Sequence, residues 1–315
     1  MTAAHLPDAP PDNWVDRHAP TSLRPWLKLG RFDRPSGAWL LMLPGWQAVA
    51  LAGAMSGHWP DLRLLALIAV GALVMRAAGC AYNDIVDRDF DAKVARTAAR
   101  PIPAGQISVK QAWAYLVGLS LTGLIVLLLL NPLAIALGIG SLLLVAAYPF
   151  MKRVTWWPQA WLGLTFNWGT VLGYAAATGT LGWPALLLYA SGLFWTLGYD
   201  TIYAVQDMED DALVGVKSSA LRLGRSAPVA VFSFYAGCVI LALGAGALAG
   251  LGPLFALVLA LYAAQLAWQA ARLRIEDGVG ALQLFKSNRL AGLILFIAMI
   301  AGQWGRQGPA FGWLG

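Results

Sequence analysis

Long apolar runs separated by short polar segments are the main pattern along this chain. Most of the runs are long enough to cross a hydrocarbon core of roughly 30 Å as α-helices. The pattern therefore predicts an all-α, polytopic membrane protein with about nine transmembrane helices. The predicted spans lie at about 36–55, 62–83, 112–130, 132–150, 160–178, 183–205, 229–248, 253–271 and 290–303.

Composition excludes an ordinary soluble domain. Of the 315 residues, 59% are hydrophobic and 12% are charged, whereas a soluble surface needs roughly twice that share of charge. We expect the net charge of +6 to reflect orientation in the membrane and an anionic lipid or substrate, with no nucleic-acid partner. Cys80 and Cys238 lie inside apolar runs, so we expect neither metal binding nor a structural disulfide from them.

Four segments are predicted along the chain. Residues 1–20, rich in Pro and Asp, are expected to form a flexible tail, and residues 21–35 an amphipathic segment at the membrane interface. The transmembrane domain covers 36–305, and a second tail covers 306–315. The first tail resembles neither a secretory signal nor an Arg-rich transit peptide, which favours the inner (plasma) membrane of a bacterium.

The positively charged loops fall on one side of the predicted bundle. Cations cluster before the first span and after the second, fourth, sixth and eighth, whereas the opposite loops carry almost none apart from Arg63 and Arg306. The positive-inside rule makes the charged side cytoplasmic. The second and sixth spans run in the same direction, so the polar motifs that end them are predicted to emerge on that side.

The second span runs directly into the first polar motif. Asn83, Asp87 and Asp91 are four residues apart and form one stripe on a continuing helix, with Asp84 beside it. Like charges one turn apart destabilise a helix unless a cation lies between them. Oxygen ligands without His or Cys favour Mg²⁺, which usually keeps positions open for a substrate phosphate.

Three cations follow this stripe and suit the same phosphate, namely Lys93, Arg96 and Arg100. The alternative interpretation of the whole segment is a solvated cytoplasmic loop whose charges mark topology.

The sixth span ends in a second motif, between Tyr199 and Ala220. Asp207 and Asp211 are again four residues apart, with Asp200 deeper on roughly the same face, and Lys217 follows. Two such acidic helix ends predict two Mg²⁺ ions that hold a diphosphate between them, which is the arrangement that ionises allylic diphosphates. The alternative is two separately solvated acidic loops.

A third polar segment follows the fourth span. Lys152 and Arg153 are candidates to bind phosphate or a substrate carboxylate, and Tyr148 lies one turn before Lys152. Taken alone, these residues are interpreted more simply as topology markers at the end of a span.

Arg76 lies seven residues before Asn83, two turns deeper on the same helix face. An arginine inside a span is costly unless it faces a cavity or a partner. An anionic substrate is one candidate partner, and Asp200 is the other. Asp200 itself is a candidate to orient a phenolic hydroxyl, to accept a proton, or to balance Arg76.

With these residues in view, the chain resembles the UbiA-type intramembrane aromatic prenyltransferase family. The first family motif is complete in NDIVDRDFD from Asn83, continued by KVARTAARPIPAG from Lys93. The second is YDTIYAVQDMEDD from Tyr199, with Asp207, Asp210 and Asp211, followed by GVKS. RFDRPSGAWLLMLPGW and YPFMKR are also similar to family segments, and the similarity covers nearly all of residues 30–305.

The resemblance implies a bundle around a central cavity open sideways to lipid. It implies Mg²⁺-dependent transfer of a polyprenyl group from polyprenyl diphosphate to 4-hydroxybenzoate, at the ring carbon ortho to the hydroxyl, in ubiquinone biosynthesis. The implied metal ligands are Asn83, Asp87, Asp91, Asp207 and Asp211. The candidate diphosphate contacts are Lys93, Arg96, Arg100, Lys152, Arg153 and Lys217, and the candidate catalytic residues are Asp84, Asp200, Arg76 and Tyr148.

Two other functions remain open at this point. The same chemistry on another acceptor, such as homogentisate, dihydroxynaphthoate, a chlorin or haem, is disfavoured by the form of the second motif. A cation transporter is disfavoured because the acidic groups gather at one face, whereas a transport path places polar groups near the midplane.

Overall fold

The computed structural model describes residues 13–93 and 97–306, apart from the side chains at 209, 210 and 214. Within these ranges the secondary structure is helical, which confirms the predicted all-α class. The helices are α1 Trp14–His18, α2 Arg24–Leu29, α3 Ser36–Ser56, α4 Leu62–Asp91, α5 Val109–Leu128, α6 Pro132–Val154, α7 Pro158–Phe166, α8 Trp168–Thr178, α9 Trp183–Val205, α10 Met208–Val214, α11 Ser219–Leu223, α12 Ala227–Leu248, α13 Pro253–Arg272 and α14 Gly278–Ala301.

Seven helical stretches in the described part of the chain are long and apolar enough to span a membrane. They are α3, α4, α5, α6, the stretch 219–248, α13 and α14. The two other predicted spans correspond to α9 and to the pair α7 and α8, so the count of nine stays a prediction.

Two predicted spans differ from the structure in detail. The span predicted at 160–178 is divided at Asn167, which is buried and donates its side-chain amide to Gly163 O (2.8 Å) and Thr196 Oγ1 (2.8 Å). The last helix begins at Gly278 rather than near residue 290, because Asp277 caps it by accepting from the amide of Gly280 (2.8 Å).

The chain divides into two compact units, and the first comprises residues 13–39 and the described part of 70–129. Its core is a buried cluster of Leu29 from α2, Ala81 and Ile85 from α4, and Ile102, Ile107 and Ala112 around the start of α5. Ser108 and Gln111 form a capping box that fixes where α5 begins. The hydrophobic cluster therefore ties α2 to the end of α4 that carries the first motif.

The N-terminal segment of this unit is more ordered than its sequence predicts. Residues 1–20 were expected to be a flexible tail, yet α1 forms within them, and residues 1–12 lie outside the described residues. Val15 is fully buried, the Trp14 indole donates to Phe32 O (2.8 Å), and Lys28 pairs with Asp16 (2.7 Å). Burial alone would raise the pKa of Asp16, but hydrogen bonds from Lys28 and Asn13 lower it below its usual range.

The second unit comprises residues 40–69 and the described part of 130–315, with α9 at its centre. This helix packs most extensively against α12 and also against α7, α8, α11 and α14. Trp195 and Tyr199 on α9 are fully buried and pack edge to face, with ring centroids 5.3 Å apart. The second motif therefore follows a helix that is fixed on several sides.

Small residues allow close helix packing in this unit. A Cβ on Gly173 of α8 would lie 2.7 Å from the carbonyl oxygen of Gly45 on α3, so the two backbones are nearly in contact. Such small-residue contacts are typical of packing between membrane helices.

Candidate active site

The stripe predicted from the first motif lies on one continuous helix, because α4 runs unbroken to Asp91. Asp87 is fully buried and Asp91 is 7% exposed, while Asn83 is half-buried. Burying carboxylates without compensation is costly, so this helix end is built to hold positive charge beside its acidic side chains.

Asp84 lies on the same helix end and is fully buried. Arg31 donates through Nη2 to both of its carboxylate oxygens, at 2.7 and 3.0 Å. Arg100 donates through Nη1 to Asp84 (3.3 Å) and to Asp91 (2.7 Å). Positive and negative groups therefore alternate from Arg31 through Asp84 and Arg100 to Asp91.

The predicted phosphate-binding cations after α4 occupy different environments. Arg100 is engaged with the two carboxylates, Lys93 is exposed, and Arg96 lies outside the described residues. Thr97 donates its hydroxyl to Asp91 O (2.8 Å), so the chain folds back onto the end of α4 where Arg100 follows.

Arg76 lies deeper on α4 and lines a cavity of about 170 Å³ within the first unit. Trp14, Arg31 and Arg34 line the same cavity. Arg76 donates to the thiol of Cys80 and packs on Gly37, where a Cβ would lie 2.6 Å from its Nε. The position agrees with one expectation for an arginine inside a span, which is that it faces a cavity.

The second motif differs from the continuous stripe that was predicted. Helix α9 ends at Val205, and Asp207 occupies the position before α10, with φ −105° and ψ 1°. The amide of Asp211 donates to Asp207 O (2.8 Å), so these two residues are still one helical turn apart. Asp200 lies on α9 itself, so the break after Val205 separates it from the Asp207–Asp211 turn. The side chain of Asp210 is not among those that the structure describes.

The second unit brings the third polar segment and the second motif together. The amide of Lys217 donates to Lys152 O (3.1 Å), and its ammonium donates to Val154 O (3.2 Å). The ammonium also lies 5.9 Å from the centre of the Trp156 ring. Tyr148 and Lys152 occupy the last turns of α6 and are half-buried, and Arg153 is exposed over the Phe150 ring (5.8 Å).

A buried polar network that was not predicted from the sequence holds α9, α12, α13 and α14 together. The Trp195 indole donates to Asn288 (2.8 Å), Asn288 donates to Gln269 (3.0 Å), and Tyr235 donates to the same Gln269 oxygen (2.7 Å). Amide side chains inside apolar spans are the feature of the sequence that could have revealed this network. Arg31 was also missed as a site residue, because its sequence position suggested a topology marker.

The residues of the first motif fit a hard cation. Within residues 13–93 and 97–306, no three His, Cys, Asp or Glu side chains gather as a ready-made metal cluster. Mg²⁺ needs only one or two protein carboxylates, since water and substrate phosphate complete its octahedron. The buried Asp87 and Asp91, with the Asn83 amide oxygen a turn away from Asp87, provide such a donor set.

Comparison with known proteins agrees with the family resemblance found in the sequence. A model of the UbiA prenyltransferase family matches residues 41–300. The protein named 4-hydroxybenzoate polyprenyltransferase, mitochondrial, of Homo sapiens is 47% identical over 290 residues, which cover 90% of this chain and 76% of that protein.

Solved structures show the same fold. The apo structure of a UbiA homolog from Aeropyrum pernix K1 is 28% identical with a TM-score of 0.68, covering 83% of this chain and 96% of that one. A UbiA homolog from Archaeoglobus fulgidus bound to GPP and Mg²⁺ has a TM-score of 0.61 at 18% identity, covering 88% and 99%.

Apolar helices that end in buried carboxylates, in a fold shared with these structures, define an integral membrane protein of the prenyltransferase class. The chain belongs to the UbiA prenyltransferase family.

Proposed function

We propose that this chain transfers a polyprenyl group from polyprenyl diphosphate to the ring carbon ortho to the hydroxyl of 4-hydroxybenzoate, in ubiquinone biosynthesis. The observation that carries the proposal is 47% identity to a 4-hydroxybenzoate polyprenyltransferase over 90% of this chain. Both acidic motifs lie inside that similarity, and so do most of the apolar helices that a polyprenyl chain requires.

Asn83, Asp87 and Asp91, with Asp207 and Asp211, are the proposed ligands of Mg²⁺. When bound there, Mg²⁺ would draw negative charge from the diphosphate as it leaves. The observation in support is the donor set itself, since Asp87, Asp91 and Asp207 are carboxylates at most 7% exposed. A protein of the same fold is described as bound to GPP and Mg²⁺, which agrees with this choice of metal.

The cations near each motif are proposed to bind the diphosphate oxygens. They are Lys93, Arg96 and Arg100 after the first motif, and Lys152, Arg153 and Lys217 in the second unit. Lys217 and Lys152 are joined by a backbone hydrogen bond (3.1 Å), so their side chains leave neighbouring points of the backbone. Fixed positive charges near a leaving diphosphate stabilise the charge that develops on it.

The transfer breaks the bond between the allylic carbon and the diphosphate oxygen, and the electron pair leaves with the diphosphate. The ring carbon ortho to the phenol then forms the new carbon–carbon bond, and loss of its proton restores the aromatic ring. The apolar helices exclude water, which would otherwise capture the allylic cation. Asp200 is the proposed group that orients the phenol or accepts the proton, and Tyr148 is proposed to contact the reacting groups.

Arg76 is proposed to bind the carboxylate of 4-hydroxybenzoate. It lines the cavity of the first unit and lies two turns before Asn83 on α4. A guanidinium pairs with a carboxylate through two parallel hydrogen bonds, which would orient the ring as well as bind it.

We also propose that the chain is a multi-pass protein of the bacterial inner membrane with both motif loops in the cytoplasm. The clustering of Lys and Arg at the ends of α4, α6 and after α10 supports this orientation. The relatives are named mitochondrial. To test the sidedness, a single cysteine would replace either exposed Lys93, after α4, or Trp59, between α3 and α4, in a Cys80→Ala, Cys238→Ala background. Intact cells would then be labelled with a membrane-impermeant maleimide.

The first experiment incubates membranes that contain the full chain with 4-hydroxybenzoate, a polyprenyl diphosphate and Mg²⁺, with a chelator control. Mass spectrometry should detect prenylated 4-hydroxybenzoate in the presence of Mg²⁺ and none with the chelator. If product forms with another phenolic acceptor instead, the proposed acceptor is wrong and the chemistry is retained. If the diphosphate is never consumed, the proposed function is wrong.

A further inference from the structure

Arg31 and Asp84 form a buried ion pair (2.7 Å), and the role inferred for it rests on the proposed function of the first motif. Asp84 belongs to the motif by sequence, yet it is fully buried and accepts from two arginines, Arg31 and Arg100. A carboxylate whose oxygens are occupied by guanidinium groups is a counter-ion rather than an open metal ligand. Its function is therefore expected to differ from that of Asp87 and Asp91.

Arg31 reaches Asp84 from an unusual backbone conformation. Of the residues that the structure describes, Arg31 is the only non-glycine with positive φ, at 59°. The left-handed region is unfavourable for a side chain with a Cβ, and such conformations persist where surrounding contacts enforce them. Arg31 is also anchored through Nη1 to Lys28 O (3.0 Å).

The segment that carries Arg31 is held on both sides of it. Leu29 is fully buried in the cluster with Ala81 and Ile85 of α4. The Trp14 indole holds Phe32 O at 2.8 Å, one residue after Arg31. The guanidinium is thus fixed by the fold of the N-terminal segment, and 9% of the Arg31 side chain is exposed.

The consequence for the motif passes through Arg100. Its Nη1 lies 3.3 Å from Asp84 and 2.7 Å from Asp91, so Asp84 helps to hold the guanidinium against the last carboxylate of the stripe. Without Asp84, Arg100 would lose one of its two carboxylate acceptors, and the buried Arg31 guanidinium would lose its contact with a carboxylate.

We propose that Arg31 and Asp84 form a positioning pair that fixes Arg100, and through it Asp91, at the end of α4. The N-terminal segment then supports the active site through Arg31, although Arg31 precedes residues 41–300, where the family model matches. Asp84 acts through Arg100 and does not bind the metal.

The variants are Arg31→Met, Asp84→Asn and the double variant of the full chain in lipid nanodiscs. The matched control is Lys28→Met, which breaks the 2.7 Å pair with Asp16 in the same segment but contacts neither Asp84 nor Arg100. Arg31→Gly tests the backbone separately, because glycine adopts positive φ freely and removes only the side chain.

The first measurement is hydrogen–deuterium exchange with a chelator present, so that it does not depend on the metal. Peptides covering residues 82–91 should exchange at least about tenfold faster in Arg31→Met, in Arg31→Gly and in Asp84→Asn, and the double variant should be no faster than the faster single variant. Unchanged exchange there, or an equal effect of Lys28→Met, overturns the proposal.

The second measurement is the Mg²⁺ concentration that gives half-maximal thermal stabilisation with an unreactive thio analogue of the diphosphate. Arg31→Met and Asp84→Asn should raise it by roughly 10- to 100-fold, as loss of groups behind a metal ligand commonly does. Arg31→Lys should raise the half-maximal Mg²⁺ concentration less than Arg31→Met does, since lysine keeps one charged donor. If Arg31→Met does not fold, Arg31→Lys is measured in its place. No shift in either variant overturns the proposal.

The two proposals fail differently in these experiments. If the unaltered chain shows no Mg²⁺-dependent stabilisation, the proposed function is wrong, and the exchange measurement in chelator still decides the role of Arg31. If the unaltered chain responds to Mg²⁺ and the variants respond equally, the positioning pair is wrong and the proposed function is retained.

Discussion

Arg100 donates to Asp91 at 2.7 Å, so a cation of the protein itself lies against the last carboxylate of the first motif. This contact accounts for part of the positive charge that the acidic stripe on α4 demands. The protein can therefore keep the end of α4 helical before a metal binds. In a variant without Arg100, a bound metal would have to supply this positive charge.

Arg100→Met is accordingly expected to destabilise the protein in chelator and less so in Mg²⁺. Breaking a buried pair by removing one partner costs about 3–5 kcal/mol, and this pair, 10–15% exposed, should lie toward the lower end. Thermal unfolding in nanodiscs with chelator and with 10-fold excess Mg²⁺ over its half-saturating concentration would measure the difference. An equal fall in Tm under both conditions would show that bound Mg²⁺ does not compensate for the lost charge of Arg100.

Asp87→Ala and Asp207→Ala are each expected to lower turnover by at least about 100-fold while the chain still inserts and folds, because each removes a proposed charged ligand of the metal. Asp89→Ala is the matched control, since its side chain is 76% exposed and pairs only loosely with Arg88 (3.5 Å). The assay is prenyl transfer in membranes, with expression and thermal unfolding measured in parallel. Appreciable activity in both ligand variants would rule out metal binding by the two motifs.

Arg76→Gln is expected to raise the KM for 4-hydroxybenzoate by about tenfold or more, because a charge-assisted pair with the carboxylate is lost. The KM for the polyprenyl diphosphate should change little. The same substitution should raise the KM for 4-hydroxybenzamide, an acceptor without the charge, much less than the KM for 4-hydroxybenzoate. An equal rise in KM for the two acceptors would contradict a role of Arg76 in carboxylate binding.

Gly173→Ala is expected to lower Tm, because its Cβ would lie 2.7 Å from Gly45 O and neither backbone can move without separating α3 from α8. Gly140→Ala in α6 is the control, since a Cβ there meets no atom within 4 Å. That change should be neutral or stabilise by about 0.5–1 kcal/mol, as replacing glycine in a helix does. A Tm for Gly173→Ala equal to that of Gly140→Ala would contradict the close packing.

Much of the architecture was determined by the sequence alone. Long apolar runs predicted α3, α4, α5, α6, α9, α12 and α13, because a helix that crosses lipid must be apolar along most of its length whatever its neighbours are. The four-residue spacing of Asn83, Asp87 and Asp91 fixed their common face, since the α-helical repeat is local. The family motifs pointed to the same chemistry that the comparisons with known proteins support.

Tertiary structure decided what depends on contacts between distant segments. The sequence placed Asp84 beside the stripe as a candidate catalytic residue but did not reveal its contact with Arg31, 53 residues away, on which the proposed positioning role depends. The end of α9 at Val205 and the contact of Lys217 with Val154 O likewise depend on packing within the second unit. Local periodicity sets where a side chain leaves its helix, but only the folded chain determines which partner it finds there.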